Sequence, residues 1–183
     1  MRIPVNIFFA FLLVPSSALR AQTSPKPLTA DTLPRYLTNY ERNLIPLEGA
    51  YGQMENDPMP LYDQQGQPLG HRPLEDRRQS LANLRETLHK LSAKPGDLRL
   101  ALRLFFQTDD LTDDLYELSQ FAYDNDREEL GKQLSDIMNT LDRDRAVLEN
   151  YALGLAEESE ARLEELEKRN QELEAKAKGA AKK

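Results

Sequence analysis

Asp109-Asp110-Leu111-Thr112-Asp113 reads DDxxD, with Asp114 and Glu117 close behind. Carboxylates so spaced on a helix can point at Mg²⁺ that holds a diphosphate. Helical arithmetic opposes that use here. At about 100° per residue, Asp110, Asp113, Asp114 and Glu117 fall opposite the stripe of Leu104, Leu111, Leu115 and Leu118, and are expected to face solvent. A solvated acidic face is the reading. Weak Ca²⁺ binding at 109–117 is the alternative, which a calcium titration would test.

The DDxxD string also occurs in isoprenoid-processing enzymes. Those need a larger helical cavity and a second metal motif, and neither is visible in 183 residues. A metal-dependent enzyme using Asp109, Asp110 and Asp113 is therefore a remote alternative. Asp124, Asp126 and Glu128 match the first three ligands of an EF-hand loop. The imitation then fails, because the turn position that needs Gly holds Glu129 and the bidentate position holds Ser135. Helix capping accounts for these residues better. His71 and His89 are the only histidines and lack HExxH or HxxH spacing. There is no GxSxG, no Walker-type glycine loop and no GxGxxG. No catalytic residue, metal ligand, cofactor or small-molecule ligand is expected, and the protein is read as not an enzyme.

Composition narrows the class further. A chain that is 39% hydrophobic and 30% charged suits one domain with a modest core, and 7% aromatics without Trp make that core aliphatic. A net charge of −7 makes nucleic acid a poor partner, because counterion release needs a basic face. The absence of cysteine removes disulfides, thiolate zinc sites and Cys nucleophiles, so packing alone must hold the fold.

Residues 1–21 have the layout of a secretory signal peptide: Arg2, the apolar run Ile7 to Val14, then Pro15-Ser16-Ser17-Ala18. The run is far short of the ~20 residues that span a bilayer, so no transmembrane anchor is expected after cleavage. Cleavage after Ala21, with Ala18 the second choice, leaves 22 basic and 31 acidic residues. Export is expected, to the periplasm of a bacterial envelope or outside the cell. Residues 22–30 read as a flexible leader.

The elements that would position these residues are helices. Leu33, Leu37, Tyr40 and Leu44 step by 4, 3 and 4, with Asp31 or Thr32 to cap and Pro46 to stop the helix. Leu74, Leu81 and Leu88, with Leu84 and Leu91 between, predict a helix over about 74–92. Lys94-Pro95-Gly96-Asp97 ends it, and Asp97 can cap the next. That helix runs from about Leu98 to Tyr123. Leu98, Leu102, Phe105 and Phe106 widen its apolar arc, which predicts cover from more than one side. Asn125 or Asp126 can cap a last helix, with Leu130, Leu134, Ile137, Leu141, Leu148, Tyr151 and Leu155 on its inner face. Residues 46–73 carry five prolines and read as an irregular segment wrapping the core through Tyr51, Met54, Met59, Leu61 and Tyr62. Within it, Leu61–Leu69 is a hairpin candidate with Gly66 in the turn.

The last helix outruns its neighbours. From 126 to 178 it would be roughly 80 Å long, against about 28 Å for the helix from 74 to 92. Beyond about residue 155 the bundle cannot cover it. There Ala156, Leu163, Asn170 and Ala177 repeat every seven, with Ser159, Leu166 and Leu173 alternating. That is a thin heptad seam with a register-setting Asn. Glu164–Lys168 and Glu165–Arg169 are well spaced for i,i+4 pairs. The segment is either a coiled coil, with itself or another protein, or a solvated single helix held by ion pairs. Residues 179–183 read as a basic tip.

The expected architecture is all-α: an antiparallel hairpin or bundle of about four helices over 31–155, with 156–178 projecting as a partial coiled coil. The expected function is that of an exported scaffold or adaptor acting through protein–protein contacts at Leu163, Leu166, Asn170 and Leu173. The alternative is a periplasmic chaperone-like module that binds clients on the 46–73 segment.

Overall fold

The computed structural model describes residues 28–63, 65–69 and 71–180, with residues 71–73 and 179–180 described by backbone only. The expected signal peptide, most of the leader, and most of the basic tip lie outside the described residues. Five helices follow in chain order: α1 (Leu33–Asn43), α2 (Ile45–Asn56), α3 (His71–Ala93), α4 (Leu98–Asp124) and α5 (Glu128–Ala180). The fold is an all-α bundle. Among the described residues the one extended pairing is an isolated antiparallel bridge between Tyr62 and Pro68.

The expected leucine stripes form a single core. Leu33, Leu37, Tyr40 and Leu44 meet Leu81, Leu84, Leu88 and Leu91, with Leu104, Leu115 and Leu118 of α4 and Leu134, Leu141 and Leu148 of α5. Burial of each such leucine contributes about 1.5–3 kcal/mol, so this row outweighs any single polar contact. α4 and α5 form the central antiparallel hairpin. Its two ends are tied. Near the turn, Tyr123 lies so close to Gly131 that an added Cβ would sit 2.9 Å from the ring. At the far end, the Tyr151 hydroxyl donates to the Pro95 carbonyl at 2.8 Å.

The turn between α4 and α5 reverses the chain fully, and its chemistry differs from the expected cap. Asn125 is the C-cap of α4. Its side-chain amide binds across the molecule, donating to the Tyr62 carbonyl and accepting from the Tyr62 N–H, each at 3.0 Å. Asp126 takes φ 56°, the left-handed conformation that Asp tolerates better than most residues. Asp97 caps α4 as expected, accepting from the N–H groups of Arg99 and Leu100. Thr32 occupies the N-cap of α1 but makes no cap bond. Its hydroxyl is held by Thr29 instead.

The expectation for 46–73 needs correction. Pro46 does not stop the first helix for good; it sits in the first turn of α2, where its missing N–H costs nothing. Leu47, Ala50 and Tyr51 then pack into the core. The irregular part is confined to the stretch after α2. There Leu61 is buried, Met54 is partly buried, and Met59 and Tyr62 stay exposed. The hairpin turn is present, with Gly66 at φ 76° and the Leu69 N–H donating to the Leu61 carbonyl at 2.7 Å. Leu28, expected in the flexible leader, packs partly against the core.

Three polar ties fasten α1 to the central hairpin. The Tyr40 and Thr108 hydroxyls bond at 2.8 Å inside the core. Tyr36 donates to one oxygen of Asp144 at 2.7 Å, and Asn43 donates to the other at 2.9 Å. Burial pushes the Tyr36 and Tyr40 phenols far above their ordinary range. Both therefore stay neutral donors throughout the physiological range.

Candidate functional site

α5 contains 53 residues, about 80 Å at 1.5 Å per residue. Its partners end near Leu155, the last α5 side chain packed against the core. From Glu157 to Lys178 every residue is exposed. Leu163, Leu166 and Leu173 are 59%, 49% and 56% exposed, and Asn170 is exposed with them.

These residues share one face, and it is the inner face of the bundle prolonged. At about 100° per residue, Ser159, Leu163, Leu166, Asn170 and Leu173 all fall within about 40° of Leu141. So do Leu148 and Ala152, which are buried. The seam is therefore a continuation of the row that the bundle buries lower down. It becomes exposed because α4 begins at Leu98.

The projecting stretch of α5 gains no packing from the bundle. Charge support along it is thin. The ion pair present among the described residues is Lys178 to Glu174 at 3.8 Å. Glu164–Lys168 and Glu165–Arg169, expected at the same spacing, are not within ion-pair distance among the described residues. The open feature is thus an apolar row on a helix that its own bundle does not use.

The acidic face of α4 is built differently from a metal site. Asp110 and Asp113 are exposed. Asp109 is taken by Arg145 of α5 at 3.0 Å, and Arg145 also holds Asp142 at 2.9 Å. Asp114 was expected in solvent but is half-buried and paired with Arg77 of α3. Burial raises the Asp114 pKa, and the Arg77 guanidinium pulls it down without cancelling that effect. Of the DDxxD string only Asp109 is held by an arginine among the described residues, and Asp114 just after the string is held by a second arginine on another helix. Among the described residues no group of three or more His, Asp or Glu is arranged to hold a metal ion. A cleft of about 520 Å³ runs between α3 and α4, lined by Leu84 and Leu111 at its apolar side and by Arg77, Asn83, Gln107 and Asp110 among its polar groups.

His89 is exposed and lies 3.1 Å from Glu41, joining α3 to α1. His71 is the first residue of α3. The other departure lies on the outer flank of α4. Leu98 and Phe105 pack partly against the core, whereas Leu102 and Phe106 are 38% and 55% exposed, so the expected cover from a second side reaches only half of the arc. The Phe105 and Phe106 rings instead pack on each other, 5.1 Å between centroids. Among the described residues no helix is long and apolar enough to cross a membrane. Comparison with models of known protein families, with curated proteins and with solved structures gives no match for this chain.

Proposed function

We propose that this protein is an exported, non-enzymatic scaffold or adaptor that binds a protein partner through α5 beyond the bundle, at Leu163, Leu166, Asn170 and Leu173. One observation carries the reading: an apolar row continues along α5 for about 33 Å past the last residue of the core, uncovered by the bundle. Three half-exposed leucines aligned on one helix are a surface that association would cover. Export rests on the signal-like layout of residues 1–21. Amino-terminal sequencing of protein recovered from the cell envelope tests it: a start at Gln22 or Leu19 is expected, and an intact Met1 would overturn cleavage.

The binding reading is tested by comparing the full protein with a version ending at Ala156. Every core residue lies before that point, so the short form is expected to keep its fold. Partner binding lost on truncation, and lost equally in Leu166→Glu/Leu173→Glu, is the expected result. Binding retained by both would place the contact elsewhere.

A further inference from the structure

We infer that the exposed row on α5 is built for the helix of a different protein and not for a second copy of this chain, an inference that rests on the binding role proposed above. Two independent observations exclude the second copy, one for each way two such helices can lie.

The charges exclude the antiparallel arrangement. The residues just before the first position of each heptad are Arg162, Arg169 and Lys176. The residues just after the fourth are Glu160, Glu167 and Glu174. One flank of the seam is therefore wholly basic and the other wholly acidic. In an antiparallel pair each flank meets its own kind. Arg169 would face its own counterpart and Arg162 would face Lys176. Glu167 would face its own counterpart and Glu160 would face Glu174. Every flanking pair repels.

The bundle excludes the parallel arrangement. There the charges would agree, Arg162 reaching Glu167 and Arg169 reaching Glu174 of the other helix. The row those helices would share is the same face that the bundle buries at Leu141, Leu148 and Ala152, flanked by Arg145, which α4 holds through Asp109, and by Asp144, which α1 holds through Tyr36. A second α5 running parallel would continue down that face, into the space that α4 and α1 already fill. The Tyr151 hydroxyl bonded to Pro95 keeps the top of the bundle closed against α5 at that level.

The occupant is therefore a helix that ends at the α3–α4 loop and carries no bundle of its own on that side. Its seam is apolar, with a polar residue opposite Asn170. Acidic side chains face Arg162, Arg169 and Lys176, and basic ones face Glu160, Glu167 and Glu174. It occupies above Leu98 the position that α4 occupies below.

The test has two parts. Light scattering of the full protein over a hundredfold concentration range is expected to give the mass of one chain throughout. A dimer that Leu166→Glu/Leu173→Glu dissociates would overturn the inference while leaving the binding role of α5 intact. The second part uses synthetic peptides of residues 156–178, which carry no bundle. One has the natural charges and fits parallel. One has the six flanking charges exchanged and fits antiparallel. A third has glutamate at all six positions. The first two are expected to shift the methyl signals of Leu163, Leu166 and Leu173 in the full protein, and the third to bind at least tenfold more weakly. Equal binding by all three would overturn the charge argument. No binding by any at millimolar peptide would show that the row takes no helix, which would sink the proposed function as well.

Discussion

The two halves of α5 have the same helical period and opposite fates. Up to Leu155 its apolar row is buried by α4, α1 and α2. From Glu157 the same row lies in solvent. Nothing in the row itself marks the change: Leu148 and Ala152 precede it, and Leu163 and Leu166 follow it on the same face. What differs is the neighbour. α4 starts at Leu98 because Asp97 caps it there, and the α3–α4 loop leaves nothing above. A helix face therefore does not declare its partner; the lengths of the elements around it decide whether it is core or contact surface.

The sharpest way to break this comparison is to remove a leucine from each half. Leu134→Ala or Leu141→Ala takes out a side chain that is fully buried. Each is expected to cost about 2–5 kcal/mol, lowering Tm by roughly 2–4 °C per kcal/mol for a chain of this size. Leu166→Ala is expected to leave Tm within the error of a calorimetric scan. A large loss at Leu166 would mean that α5 folds back on the bundle.

Polar contacts sharpen the contrast at a smaller scale. Tyr40→Phe removes the hydroxyl that meets Thr108 in the core, and a loss of about 1 kcal/mol in urea unfolding is expected. Tyr51 is as deeply buried, but its hydroxyl has no hydrogen-bond partner among the described residues. Tyr51→Phe should therefore cost less than Tyr40→Phe or stabilise the fold. The reverse order would contradict the hydrogen-bond assignment. Smaller still is the link from Arg145 to Asp109 and Asp142, which is largely solvated. Arg145→Gln is expected to cost under about 1 kcal/mol, and the cost should shrink in high salt.

The smallest effects are the titrations of two aspartates that shift in opposite directions. The Met59 N–H donates to Asp57, and Arg127 pairs with it, holding its pKa below the ordinary value. Its stabilising contribution is present above the ordinary Asp pKa and is lost as pH falls through the lowered value. Asp114 is raised by burial. Its contribution has the other sign: the folded state binds the proton more tightly, and that advantage is lost as pH rises through the raised value. Carboxyl carbon NMR should show Asp114 titrating above the ordinary Asp value and Asp57 below it. The opposite order would refute the burial argument.

Much of this was legible from residue spacing, and the failures have physical reasons. The stripes at Leu33–Leu44, Leu74–Leu91 and Leu104–Leu118 are core because helical period and apolar type agree. Pro46 was read as a stop because proline ends helices, yet it also starts them, and only the packing of Leu47 and Tyr51 distinguishes the two. Leu102 and Phe106 are expected to be covered because they are large and apolar; among the described residues no element packs over them. The expectation that Asp114 is solvated fails on its angle: at about 100° per residue it lies about 70° from the centre of the leucine stripe, on the flank of the buried face and not opposite it, where Arg77 of α3 reaches it. The exposed row of α5 was legible from length arithmetic alone. That it prolongs the face under α4, which decides what can sit on it, needed the position of α4.

The most direct test of the whole account is the thermal unfolding of the full protein beside the version ending at Ala156, followed by far-ultraviolet circular dichroism. The account predicts the same Tm for both, with the short form losing only the ellipticity of the missing turns. A Tm lower by several degrees in the short form would show that the exposed stretch holds the bundle together, and the claim that it is free for a partner would fail.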